Sequence, residues 1–125
     1  MGYVYLLSNP SMPGLVKLGC TDRPPAERIS ELSAATGVPT PFTLELSVFV
    51  PDHLETESQL HQALSSYRVS DSREFFRIPV AKAKTFLYDK QIETMLSAFE
   101  SWDDESLTKL VDSIFWKHPN VRKAF

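Results

Sequence analysis

One cysteine, Cys20, stands in 125 residues. A lone thiol builds neither an intrachain disulfide framework nor a cysteine-ligated zinc site, and it makes a reducing, cytoplasmic compartment the default expectation. Long hydrophobic runs are also missing. The longest, such as residues 4–7, cover a few positions, against the roughly 20 apolar residues that a membrane-spanning helix needs. The first twenty residues lack a basic start followed by an apolar stretch, so no signal peptide is expected. A basic excess is absent: the net charge is −3. A strongly basic face would point at nucleic acid. Here bulk charge names no partner, and any anion site has to be local. Charges balance over residues 1–44 and 81–125, while residues 45–80 carry six acids against three arginines. Repeats and low-complexity linkers are absent.

What is present suits one globular domain. Apolar residues make up 42% of the chain, and eight Phe, four Tyr and two Trp can seed a core. Residues 3–8 and 15–20 are aromatic and apolar, separated by a turn-rich NPSMPG, and read as an antiparallel hairpin. Period two puts Tyr3, Tyr5 and Leu7 on one face, with Lys17 and Gly19 sharing a face of the second strand. Residues 22–36 read as a helix capped by Asp22 or Thr21, with Pro24 or Pro25 in its first turn, Ile29, Leu32, Ala35 and Thr36 inward, and Gly37 as its stop. Residues 42–50 alternate, with Phe42, Leu44, Leu46 and Val48 on one side. Asp52 and Glu55 form a capping-box-like pair before a helix to about Ser66 with Leu60, Ala63 and Leu64 inward. Residues 67–73 are a polar loop, 74–78 a short strand, and the rest helical. In the last helix Leu107, Leu110, Val111, Ile114 and Phe115 make an amphipathic stripe, and His118-Pro119 ends it. The expected fold class is α+β: a small, mainly antiparallel sheet of three to four strands with flanking helices in residues 1–80. Residues 81–125 add helices that pack on this core or form a dimer face.

Several polar residues stand outside the periodicity: Tyr5, Lys17, Thr21, Arg28, Glu57, His61, Arg68 and Arg73. One carboxylate, cations and a phenol form a chemical kit. Glu57 can hold one Mg²⁺ whose shell is completed by water and a substrate phosphate. Arg28 and Lys17 can stabilise charge on a pentavalent phosphate. Tyr5 can position or deprotonate the attacking water, provided cations lower a phenol pKa of about 10. Each residue also has a plainer reading. Tyr5 is a packed strand aromatic, Glu57 and His61 are a helix-surface pair, and Arg28 is a partner of Glu27 or Glu31. Arg68 and Arg73 are solvated loop cations or partners of Glu74, with phosphate contact as the other use. Cys20 is a small strand residue whose sequence neighbours offer no base.

Order and spacing are more specific than any single residue. The stretch YVYLLSNPSMPGLVKLGCTDRPPAERISEL resembles the opening of the GIY-YIG nuclease superfamily. Val4-Tyr5 falls at its first I-Y, Lys17-Leu18-Gly19 at its Y-I-G, and Arg28 at its helix-one arginine, with Thr21 between. E-x-x-x-H at Glu57 and His61, then YRV and REFF, resemble a phage- and bacteria-associated branch of that superfamily. The likeness covers roughly residues 2–80.

The resemblance implies metal-dependent cleavage of nucleic acid, DNA first, leaving a 5′ phosphate and a 3′ hydroxyl. Glu57 would hold Mg²⁺ or Mn²⁺, Arg28 would contact the scissile phosphate, Tyr5 would be the general base, and Gly19 would allow close approach. A cytoplasmic setting in a bacterial or phage-infected cell goes with it. Two departures stand out. Lysine replaces the second-motif tyrosine, and a cation at Lys17 would depress the Tyr5 pKa. The histidine expected four residues after Arg28 is Leu32, a gap His61 would fill from the other helix. A homodimer is one answer to duplex cutting by a weakly acidic, single-site chain. The alternative function is a catalytically inactive module that binds nucleic acid or protein on the same fold.

Overall fold

The computed structural model describes residues 1–34, 39–69, 74–100 and 103–117. Strands β1 (Gly2–Ser8) and β2 (Leu15–Thr21) form the expected antiparallel hairpin. Its turn is held by Asn9. The Asn9 carbonyl accepts from Met12 N at 2.9 Å, and its Oδ1 accepts from Ser11 N at 2.9 Å. Gly14 enters β2 with φ +81°, a backbone state that side-chain-bearing residues rarely adopt. Asn9 Nδ2 also donates to the Thr40 carbonyl at 2.8 Å, which ties the hairpin loop to the start of the third strand.

Helix α1 (Pro25–Ser33), strand β3 (Thr43–Val50), helix α2 (His53–Ala63), a single 3-10 turn (Ser65–Tyr67), strand β4 (Phe75–Arg77) and helices α3 (Val80–Phe99) and α4 (Asp104–Lys117) follow. The sheet order is β3-β1-β2-β4, with every pairing antiparallel. The structure is therefore α+β, a four-stranded sheet flanked by helices with a helical C-terminal region.

Three local expectations are corrected. Helix α1 begins at Pro25, with Pro24 as its N-cap and no side-chain cap. Each proline keeps its predecessor out of helical conformation, so the segment before the helix is extended. Thr21 Oγ1 instead accepts from Arg23 N at 3.1 Å. Ala35, Thr36 and Gly37 lie outside the described residues, as do His118 and Pro119. Helix α2 is capped as expected, Asp52 Oδ1 accepting from Glu55 N at 3.1 Å, but it ends at Ala63. In β3 the alternation breaks. Leu6 pairs with Leu46 but Leu7 pairs with Leu44, so a bulge at Glu45 reverses the pleat. Leu44 thereby leaves the core side and is exposed. The Glu45 carboxylate accepts from Ser8 Oγ at 2.7 Å.

One sheet face carries the main core. Val4, Leu6, Val16, Leu18, Val48 and Val50 pack with Leu60 of α2, its C-cap Leu64, Phe76, Ile78, and Ala83 and Leu87 of α3. The core thus extends past residue 80 into the first half of α3. The strand positions that alternate with these, Tyr3, Tyr5, Leu7 and Phe49, are buried as well. Tyr3 and Phe49 meet edge to face at 5.2 Å, with Met95 against them. Among the described residues, no helix is long and apolar enough to cross a membrane.

Candidate active site

The last three residues of β2 carry the site. Strand β4 pairs with β2 only along residues 15–17, so Gly19, Cys20 and Thr21 lie beyond its end. The register sets Tyr5 opposite Gly19 and Leu7 opposite Lys17. Tyr5 and Lys17 therefore share a face, as the hairpin pattern predicts. Tyr5 is 2% exposed, and its ring lies against Gly19. A Cβ there would fall 2.6 Å from Tyr5 Cε1 and closer still to Cζ and the hydroxyl. A methyl there would force the Tyr5 ring to shift.

Arg28 approaches from α1. Its guanidinium acts on the Tyr5 phenol, opposing the rise in its pKa, and donates to Glu31 Oε2 at 3.2 Å. Glu57 approaches from α2, which packs on β2 and β1. Its charge acts on the Cys20 thiol, and its Oε1 is 3.8 Å from His61 Nε2, one turn further along the helix. His61 Nε2 is buried and hydrogen-bonded to nothing among the described residues. The His61 ring packs edge-on against Phe76 at 5.3 Å, which fixes its plane.

The electrostatics show that these groups form one field. The Tyr5 pKa is raised, first by burial; Arg28 opposes the rise by hydrogen bond and charge, and the Glu57 charge adds to it. Cys20 is pushed up to about 12 by burial, then by its hydrogen bond to Glu57 and the Glu57 charge, while Arg28 opposes. Tyr5 and Cys20 point to opposite faces of the sheet, yet Arg28 and Glu57 act on both. The phenol is thus a proton donor at neutral pH. The expectation that Lys17 would lower the Tyr5 pKa gives way to this: the lowering cation is Arg28, and burial outweighs it.

Lys17 is buried on the Tyr5 face, its ammonium paired with Glu74 and 5.2 Å from the centre of the Phe75 ring. Thr21 is buried and lines a neighbouring cleft. Arg68 donates to the His61 carbonyl at 3.3 Å and lies 5.9 Å from the Phe76 ring centre, so it braces the end of α2. Arg73 lies outside the described residues. Arg28 and Glu57 thus both act on Tyr5, whose ring lies on Gly19, and His61 stands beside Glu57. Lys17 shares the Tyr5 face, opposite the face that α2 covers, and is held by Glu74.

Sequence reasoning passed over Arg23 and His53. An open cleft of about 410 Å³ adjoins the cluster, lined by Cys20, Thr21, Asp22, Arg23, Arg28, His53 and Leu54. Arg23 gave one signal, its place two residues after Thr21 and just before the double proline. His53 gave none locally, since its neighbour Gly2 is remote in sequence; a Cβ at Gly2 would fall 2.6 Å from His53 Cγ and 2.8 Å from the Thr21 carbonyl.

Among the described residues, no group of three or more His, Cys, Asp or Glu side chains is placed to hold a metal. The donor set at the site is one carboxylate, partly open to solvent, with the His61 imidazole beside it. That set does not suit zinc, which takes three or four protein ligands. It does suit Mg²⁺, which keeps several waters and takes one or two carboxylates plus substrate phosphate oxygens. No curated protein and no solved structure matches the chain. Residues 2–90 match the T5orf172 domain, a GIY-YIG-like domain associated with nucleases, and the chain belongs to that family.

Proposed function

We propose that the protein is a divalent-metal-dependent endonuclease that hydrolyses DNA phosphodiester bonds through a single-metal site of the GIY-YIG type. The observation that carries this reading is that Arg28 and Glu57, from two different helices, both act on Tyr5, whose ring lies on Gly19 near the end of a strand, in a chain of a nuclease-associated family.

Glu57, with His61 behind it, would hold Mg²⁺ or Mn²⁺, and the ion would supply positive charge to a phosphate oxygen and offset the Glu57 field on Tyr5. The remaining work belongs to the chain. Arg28 stands beside Tyr5 with Glu31 as its partner in the free protein, so a cation is at the site to meet the charge that grows on a phosphate. Tyr5 is rigid because its ring is buried on Gly19. Its hydroxyl, neutral at pH 7, orients the attacking water as a hydrogen-bond partner, and Arg28 is the group that stabilises it when the proton leaves. His61 Nε2, unpartnered and close to Glu57, is a second place for a proton beside the carboxylate. Lys17 adds charge to the same sheet face, in balance with Glu74. Duplex cutting by this single-site chain would proceed through a homodimer or two successive events.

The test compares wild type with Glu57→Ala on supercoiled plasmid, single-stranded DNA and RNA, in Mg²⁺, Mn²⁺ or EDTA. Cleavage that needs metal and disappears in the variant supports the proposal and ranks the substrates. Equal cleavage by both proteins assigns the activity to a contaminant or another site. Two folded, inactive proteins that still bind DNA would transfer the assignment to a binding module.

A further inference from the structure

Two arginines grip one carboxylate at the rim of the cleft. Arg23 Nη1 is 2.8 Å from Glu31 Oε1, and Arg23 Nη2 donates to Glu31 Oε2 at 3.0 Å, a bidentate fork. Arg28 Nη1 donates to the same Oε2 at 3.2 Å. Arg23 and Arg28 both line the cleft, whose single carboxylate among its described lining residues is Asp22. Helix geometry explains the Arg28–Glu31 contact, three residues apart. It does not explain Arg23, which precedes the helix and reaches over eight residues to join the same anion. The hydrogen bond from its backbone N–H to Thr21 Oγ1 anchors its main chain there.

Planar guanidiniums that converge on a small oxyanion form the donor arrangement that also recognises a phosphate. The carboxylate itself sits at the surface, with 45% of its side chain exposed, so a stronger anion can replace it without a burial penalty. Both arginines keep their charge throughout; they also hold the Glu31 carboxyl below its ordinary pKa.

We propose that Arg23 is a second phosphate-contacting residue of the site, acting beside Arg28, and that Glu31 occupies the place of a DNA backbone phosphate in the free protein. Entry of the strand turns Arg23 and Arg28 from Glu31 onto phosphate oxygens, so the cleft carries the strand into the Tyr5–Glu57 cluster. Glu31 also keeps the free cleft near neutral, which limits adventitious anion binding by a chain of net charge −3. This rests on the proposed nuclease reading for the identity of the ligand.

The test measures duplex binding by fluorescence anisotropy in EDTA, with the Glu57→Ala protein as background, from 50 to 200 mM salt. Because nothing is cut, failure of the nuclease proposal leaves this readout intact. Removing one phosphate contact lowers the slope of log affinity against log salt by about 0.9. Arg23→Ala should therefore lose about 3.5-fold less affinity across that range than its parent, while binding more weakly at 50 mM. Arg23→Lys should restore most of the slope. Glu31→Gln removes a competing charge and should tighten binding by about three- to tenfold. An unchanged slope in Arg23→Ala would overturn the assignment of Arg23. Weaker binding by Glu31→Gln would overturn the place-holder role and make Glu31 a brace for Arg28. Absence of duplex binding by the parent overturns both.

Discussion

Gly19→Ala probes the contact that organises the candidate site. The added methyl would sit 2.6 Å from Tyr5 Cε1 and closer to the rest of the phenol's outer edge. The ring cannot swing away freely, being 2% exposed with its hydroxyl facing Arg28. Inserting a methyl into packing of this kind costs about 1–3 kcal/mol. With a urea m-value of about 1.5 kcal/mol/M, a loss of about 2 kcal/mol moves the unfolding midpoint down by about 1.3 M at constant m. The phenol also has to shift by about an ångström, and a displacement of that size at a reacting group costs about 10²-fold in rate.

The assay pairs urea unfolding with metal-dependent plasmid cleavage at a temperature where the variant is folded. Two controls separate packing from chemistry. Tyr5→Phe keeps the ring and removes the hydroxyl, so it should lower cleavage while costing only about 1 kcal/mol of stability. Tyr5→Ala removes the obstacle, so Gly19→Ala should be nearly free in that background, a coupling of about 1–3 kcal/mol. A Gly19→Ala protein with a midpoint within roughly 0.2 M of wild type and cleavage within about threefold would refute the contact as the reason for the glycine.

Further consequences follow from the buried charge and the thiol. Lys17 is buried while its partner Glu74 is 59% exposed. Glu74→Ala strands a buried ammonium and should cost about 2–3 kcal/mol in chemical unfolding, more than Lys17→Met, which leaves only a solvated carboxylate behind. Cys20, held at about 12 against an ordinary 9.0, should react with iodoacetamide at pH 8 about a thousandfold more slowly than an unfolded-chain thiol. Glu57→Gln removes the charge that helps to raise it and should speed that labelling; equal rates in both proteins would separate Cys20 from Glu57. The folded chain keeps the Cys20 proton where the unfolded chain has lost it, so stability should fall as pH rises from about 9 towards 12, with Tyr5 adding to the loss above 10.0. Cys20→Ala should flatten the lower part of that decline in unfolding midpoints measured against pH.

Much of the fold was legible because its signals are local. The hairpin, the strand after the prolines, the capped second helix and the long third helix each announce themselves within a dozen residues. The reversed pleat in β3 was not legible, because a bulge at Glu45 depends on which residue of β1 stands opposite, and alternation alone carries no register. The start of α1 was misread for a related reason: Thr21 and Asp22 are good caps by type, but the double proline separates them from the helix. At the site, motif spacing named Tyr5, Gly19, Arg28, Glu57 and His61, which the fold brings together. It did not show that Glu57 acts on Cys20 or that Arg23 joins Arg28 on Glu31. Those contacts link different elements, and a thiol or an arginine has the same local appearance whether or not a carboxylate faces it.

The same contacts constrain how Tyr5 can act. Burial and the Glu57 charge hold its proton, and Arg28 alone works against them. A phenol in that position is a poor base in the free protein, whatever its place in a motif. Two changes would move it towards deprotonation: neutralising Glu57, which removes one opposing charge, and freeing Arg28 from Glu31, which leaves its charge to Tyr5 and phosphate alone. Both changes belong to the substrate-engaged state under the proposed chemistry. Under that chemistry the reactivity of Tyr5 depends on occupancy of the site rather than on solution pH alone. Cleavage at saturating DNA should therefore show the same pH profile in wild type and in Glu31→Gln, because Arg28 has left Glu31 in both once the strand is bound. A profile that moves down in pH in Glu31→Gln would show that Glu31 still holds Arg28 in the occupied site.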